Sequence, residues 1–371
     1  MSQVGDDTAV QTEPLARQIL ERSLHVRRGE NVVVESWTHT LPWALACIRE
    51  ARRMGAHATL LYEDEATYWA SVESADPKVL GTLSEVEKAA LSKTHAYVHF
   101  WGPADRPRLY DLPDKTRQAL LAFNPTWYQV AEKAGVRGCR VGLGIVSPER
   151  AHRLERDFAD WRRQVIEASL VDPATLLAEG RKIGSRLERG RELHITHPNG
   201  TDLTLRLRRR KTVVEAGTLT PQLRKMGNLM VNLPAGVATV AVDESHGEGT
   251  FVANRGSWTM RDVYRGGTWE LRGGRLVSYQ YESGGAEFEA AYRKAPKGRD
   301  RVGLLSVGLN PAIHDLPNLE DAERGNLCLA VGGNADYGGT NRAPYLAWLT
   351  LAGATVTVDG VPLVEDGRPV A

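Results

Sequence analysis

The chain has 371 residues, 42% of them hydrophobic and 25% charged, with 47 Lys+Arg against 46 Asp+Glu. That length buries at least one large core without covalent staples and argues for about two domains. So even a charge balance excludes nucleic-acid binding by bulk charge, three cysteines are too few for a disulfide framework, and no apolar run is long enough to span a bilayer. The expectation is a cytoplasmic protein with neither a nucleic-acid nor a membrane partner.

In chain order, the polar opening predicts disorder over residues 1–12. Apolar residues then recur at helical spacing from Leu15 to His25. The turn Arg28-Gly29-Glu30 leads into a buried-strand pattern, Asn31 to Glu35. A helix is predicted from Pro42 to Met54, a strand at His57–Tyr62, helices at Ala66–Ser74 and Leu83–Leu91, and a strand at Thr94–Trp101. One or two helices over 114–134, a strand at Arg140–Val146 and a long helix over Pro148–Leu170 follow. This alternation predicts an α/β N-terminal domain, residues 13–185, with a mostly parallel sheet. From about Leu193 the runs turn short, β-rich and punctuated by Gly doublets, and the second domain, 186–371, reads as α+β with a large, mostly antiparallel sheet. The charged stretch GRKIGSRLERGRE marks the boundary.

Several local patterns bear on function. Gly142-Leu143-Gly144 lacks the third glycine of a dinucleotide fingerprint and reads as a plain strand-to-helix turn. Arg206, Arg208 and Arg210 alternate along LRLRRRK; they suit an anion site but fit a solvated strand face better. In an extended segment Glu244, His246 and Glu248 would point one way, as a metal or acid–base triad requires, although a polar loop explains them as well. No HExxH, GxSxG, P-loop or CxxC is present.

Taken together, the ordered strings resemble the thermophilic metallo-aminopeptidases of the aminopeptidase T and aminopeptidase S type. They are the opening from Leu15 to Glu35, Asn199-Gly200-Thr201-Asp202-Leu203, Asn232-Leu233-Pro234-Ala235-Gly236, Gly308-Leu309-Asn310-Pro311, Gly338-Gly339-Thr340-Asn341 and Val356-Thr357-Val358-Asp359-Gly360. The resemblance implies an α/β domain joined to a domain with a paired-metal site, in a homodimer. It also implies two Glu, two His and an Asp as ligands. Carried over by position, these fall on Val237, Leu304, Cys328, Leu346 and Trp348, and the assisting Tyr falls near Tyr337. Val, Leu and Trp offer no donor, and one thiolate cannot hold two metals. Dihydroxypyridine dioxygenases resemble the same superfamily, and their ligand positions are apolar here too.

Three expectations follow. The first is a metal-independent enzyme, repurposed for an amino-acid-like or peptide-like small molecule in a mostly apolar pocket, as in biosynthesis or tailoring. It would use no cofactor. Its catalytic candidates are Cys328, Tyr337, Glu244 and His246, with Cys328 as nucleophile if it is not merely a buried apolar thiol. Val237, Leu304, Asn310, Asn341, Leu346 and Trp348 would line the pocket. The second is a non-catalytic pseudo-peptidase. The third is an active metallo-aminopeptidase with relocated ligands Glu244, His246 and His314 around a divalent metal.

Overall fold

The computed structural model describes residues 6–258 and 263–370. The chain divides into two compact units, one of residues 1–173 with 217–234 and one of residues 174–216 with 235–371.

The first unit is α/β. Strands β1 (Asn31–Trp37), β2 (His57–Glu63), β3 (Ala96–Phe100) and β4 (Arg137–Val141) pair in parallel. Val32, Val34, Ala96 and Val98 are buried, as strands covered on both faces must be. Helix Leu41–Arg53 turns Ala44, Cys47, Ile48 and Ala51 inward, at steps of three and four residues. The chain then crosses to the second unit for β5 (Glu192–His197), β6 (Thr201–Arg206) and β7 (Val213–Glu215). It returns for one strand, β8 (Met230–Leu233), which joins β4 in parallel and completes the order β2-β1-β3-β4-β8. Gly138 admits this strand, since a Cβ there would meet the Met230 sulfur at 1.8 Å.

The second unit is α+β and antiparallel. It continues with β9 (Val237–Ala241), β10 (Gly247–Val252), β11 (Ser257–Trp258), β12 (Val263–Tyr264), β13 (Thr268–Arg272), β14 (Arg275–Gln280) and β15 (Val302–Gly308). The last strands are β16 (Leu327–Gly332), β17 (Leu346–Leu351), β18 (Thr355–Val358), β19 (Val361–Glu365) and β20 (Arg368–Pro369). Eight strands form one sheet, in the order β14-β13-β10-β6-β5-β18-β19-β20. Five form another, β17-β16-β15-β9-β7.

Four boundaries differ from expectation, each for a local reason. Residues 1–5 lie outside the described residues, and from Asp6 the chain is helical to Arg17 rather than disordered. The expected strand at Arg140–Val146 ends at Val141 in a 3₁₀ turn, Gly142–Ile145, where Gly144 packs on the backbone of Trp101. The expected helix over 148–170 is two helices, Pro148–Arg153 and Phe158–Ser169, interrupted at Glu155 with φ of +53°. The stretch read as a boundary lies within helix Pro173–Arg189 and the turn that follows it. Its glycines are packing residues: a Cβ at Gly180 would meet Val214 at 2.4 Å, and one at Gly184 would meet Thr212 at 2.9 Å.

Candidate active site on the five-stranded sheet

Side chains alternate between the two faces of a sheet, so register decides what the five-stranded sheet presents. One face carries Val214, Ala238, Val240, Leu305, Val307, Leu327 and Leu329, all buried, with helix Pro173–Arg189 against Val214. The other carries three rows. Glu215, Val237 and Gly308 lie across from one another, as do Val213, Thr239, Ser306, Cys328 and Thr350, and as do Ala241, Leu304, Ala330 and Trp348. Leu346, opposite Gly332, extends this face.

All five positions at which the resemblance implies ligands therefore share one face. They are not equivalent. Leu304 and Cys328 are buried, Val237 is half-buried, and Leu346 and Trp348 on edge strand β17 are 42% and 36% exposed. The middle of the face is a row of small polar groups. The Thr239 and Ser306 hydroxyls lie 2.8 Å apart, and Cys328 hydrogen-bonds Thr350.

Tyr337 sits in the 3₁₀ turn Ala335–Tyr337 and packs on Ala241, Leu304 and Ala330. Its hydroxyl donates to Glu215 Oε1 at 3.3 Å. Gly308 lets a second acid approach: a Cβ there would meet the Glu323 carbonyl oxygen at 1.9 Å and that of Asp321 at 2.8 Å, so the 321–323 segment lies directly on the sheet. Burial raises the Glu215 carboxyl against the opposing hydrogen bond from Tyr337. Burial, then the charge of Glu215, pushes Asp321 up to about 6. No cation is among the causes of either shift, and the charge of Glu215 acts on Asp321, so ionising Asp321 beside an ionised Glu215 is unfavourable. The Tyr337 hydroxyl is raised by burial and by Glu215.

The other candidates have different tasks. Burial, then Asp321, holds the Cys328 thiol well above its ordinary range, which makes it a poor nucleophile. His246 lies on a turn, 3.0 Å from Asp243 and 2.9 Å from Arg206, so it is already engaged away from Cys328's row. Glu244 pairs with Arg210 at 2.9 Å and accepts from Asn334 Nδ2 and the Thr340 amide. Burial opposes its charge, but Arg210, Thr340 and Asn334 prevail and hold it at about 2, so it anchors the loop bearing Tyr337 rather than exchanging protons. Asn341 donates to the carbonyls of Gly298 and Gly332, and Asn310 donates to that of Ala235, so both brace backbone. Glu248 accepts from the Gly273 amide and His314 is exposed. The alternating arginines resolve in the same way: Arg206, Arg208 and Arg210 meet His246, Asp243 and Glu244.

The side chains present do not fit a paired-metal group. Three of the carried-over positions are aliphatic, one is an indole and one is a thiol held protonated. Among the described residues no three His, Cys, Asp or Glu side chains converge as ligands, so the relocated set Glu244, His246 and His314 is not assembled either.

The family model for thermophilic metalloprotease (M29) matches residues 9–315. The chain belongs to the M29 family. Its fold is that of AmpT from Thermus thermophilus, at 19% identity and a TM-score of 0.72 over 98% of this chain and 100% of that one. The 2,5-dihydroxypyridine dioxygenase of Pseudomonas putida KT2440 is similar at 17% identity and a TM-score of 0.57, over 99% and 98% of the two chains. No curated protein matches the sequence. No described helix is long and apolar enough to cross a membrane.

Glu215 and Asp321 escape a sequence reading because neither sits in a motif. Glu215 ends the apolar run TVVE, a faint signal of a buried acid, whereas Asp321 is camouflaged in the charged string LEDAER.

Proposed function

We propose that this M29 member is a metal-independent acid–base enzyme for an amino-acid-like or peptide-like small molecule, seated on the polar row of the five-stranded sheet. The observation that carries this reading is the pair of raised carboxyls, Glu215 and Asp321, with the Tyr337 hydroxyl on Glu215. Acids near the working pH serve proton transfer best. With one of the two ionised and the other protonated, the ionised member takes a proton from a water whose oxygen bonds the scissile carbonyl carbon, and the protonated member donates its proton to the amine nitrogen as the C–N bond breaks. Tyr337 holds Glu215 in place. The hydroxyls of Thr239 and Ser306 orient the substrate's polar end, while Leu346 and Trp348, exposed on the same face, receive its apolar part.

The test is turnover of aminoacyl anilides, amino-acid amides and dipeptides, with and without EDTA. The expected result is activity that survives chelation, inflects near pH 6 and falls about 100-fold or more in Glu215→Gln or Asp321→Asn. Activity abolished by EDTA and restored by zinc or cobalt would overturn the reading. Saturable binding without turnover would favour the non-catalytic alternative.

A further inference from the structure

The first unit contains a cavity of about 300 Å³ that the proposed chemistry does not use. It opens where β1 and β3 end: Glu35 and Trp37 come from β1, and Tyr97, His99 and Trp101 from β3 and the residue after it. In the order β2-β1-β3-β4-β8 the chain proceeds outward from β1 to β2, then begins again on the other side of β1 with β3. The carboxyl ends of such a strand pair diverge and leave a crevice in which open α/β sheets bind ligands.

The walls are aromatic. Tyr97 and Trp127 stand edge to face with centroids 5.2 Å apart, and Trp127 meets Tyr128 at the same distance. Arg106 lies over the Trp101 ring, 4.6 Å from its centroid. The cavity's polar groups are unevenly engaged. Arg117 is paired with Asp114, Arg140 donates to the Tyr128 hydroxyl, and Glu35 Oε2 accepts from Tyr97 at 2.6 Å and from His99 at 2.8 Å. Arg106 differs: it donates to the Gly102 carbonyl and hydrogen-bonds Tyr110, but among the described residues its buried Nε has no partner and no carboxylate lies within ion-pair distance of it. Burial lowers its affinity for the proton, and buried Arg150 is lowered to about 10 by burial and by Arg106. Among the described residues, two arginines thus share a positive field with no carboxylate ion-paired to Arg106. Among the described residues the Trp37 indole N–H is also buried without a partner. An adjoining cavity that shares Glu35, Tyr97 and Trp127 holds Glu63 and Glu87 and no arginine, which fixes the polarity: anion toward Arg106, ring across the indoles.

We propose that this cavity binds a planar aromatic carboxylate, with Arg106 on the carboxylate and the ring between Trp101 and Trp127. A carboxylate is favoured over a phosphate because the turn after β1 is Trp37-Thr38-His39-Thr40. It has no glycine to bring backbone amides around a phosphate group. The inference concerns a different unit from the acid pair and stands or falls without it.

Isothermal titration of the full chain with indole-3-carboxylate tests it, beside indole-3-carboxamide and AMP. The expected Kd for the carboxylate is about 10–100 µM, with the isosteric carboxamide at least about tenfold weaker. Arg106→Met should abolish that preference while leaving binding of the amide. Equal binding of acid and amide by the unaltered protein, no saturable heat up to millimolar ligand, tighter binding of AMP, or a preference that survives in a folded Arg106→Met would each overturn the proposal. The first three need no variant, so a failure of Arg106→Met to fold does not shelter it.

Discussion

Glu320 shows how far burial, helped by the charges of Asp321 and Asp315, can move a carboxyl in this unit. It is 4% exposed, accepts from the Asn318 amide and has no cation on it, and burial pushes it from 4.5 up to about 9. The folded chain thus keeps a proton that the unfolded chain releases. Below about pH 4.5 both states are protonated and the fold keeps its full stability. As pH rises toward 9 the unfolded state is progressively favoured. Glu320→Gln keeps an acceptor for Asn318 and removes the ionisation. Thermal unfolding should show no gain near pH 4 and a gain on the order of 4–5 kcal/mol at pH 8. Equal effects at both pH values would mean that the acid is compensated in a way the structure does not contain. Tyr337→Phe is the companion case. Its hydroxyl lowers Glu215 against the larger pull of burial. Losing it should move the upper limb of a pH–rate profile to higher pH, with little change in melting temperature.

At the scale of elements, the site depends on a glycine more than on any charged residue. Gly308 faces the same side as Ser306 and Leu304, and its missing Cβ is what lets the Asp321–Glu323 backbone settle on β15. The amide of Gly308 donates to the Asn326 carbonyl and its carbonyl accepts from Gly325, which ties the loop down. Gly308→Ala must push that loop away from the sheet. The expected cost is about 1–3 kcal/mol, the range of overpacking in a close-packed core, and Asp321 should fall back toward an ordinary carboxyl. Thermal unfolding checks the first and carboxyl NMR titration of Asp321 in the variant checks the second. The sequence exposes the match at Gly308-Leu309-Asn310-Pro311 but not its mechanism, because a close approach between 308 and 323 is a fact of tertiary register. Local pattern was enough for β1 to β3, whose apolar runs alternate with helices, but it carried β4 past Val141 because the apolar run continues into the 3₁₀ turn. Val237, Leu304, Cys328, Leu346 and Trp348 came from the family resemblance rather than from local pattern, and register puts them on one face of the sheet. Local pattern was not enough for Glu215 and Asp321, since their chemistry comes from desolvation, nor for helix Pro173–Arg189, whose glycines read as a linker until their neighbours are known. Spacing also could not show that Glu244 and His246 are engaged by Arg210 and Asp243.

At the scale of the whole molecule, the two units are not two stretches of sequence. Residues 217–234 belong with residues 1–173, although 43 residues of the other unit, 174–216, intervene. Their strand β8 covers the edge of β4 through Gly138 to Val141 paired with Met230 to Leu233. A sheet without that strand presents β4 with unpaired amides and carbonyls on an apolar strand in which Gly138, Cys139 and Val141 are all buried, the kind of edge that recruits other chains. A chain ending at residue 173 should therefore fold poorly and associate, whereas 1–173 joined by a flexible glycine–serine linker to 217–234 should give a soluble species with one cooperative transition. Size-exclusion chromatography and thermal unfolding of the two chains discriminate. If 1–173 alone is monomeric and as stable as the linked form, β8 contributes nothing to the unit's integrity. The excursion through β5 to β7 would then be an incidental route between two self-sufficient domains rather than a join that makes each unit's folding depend on the other's chain.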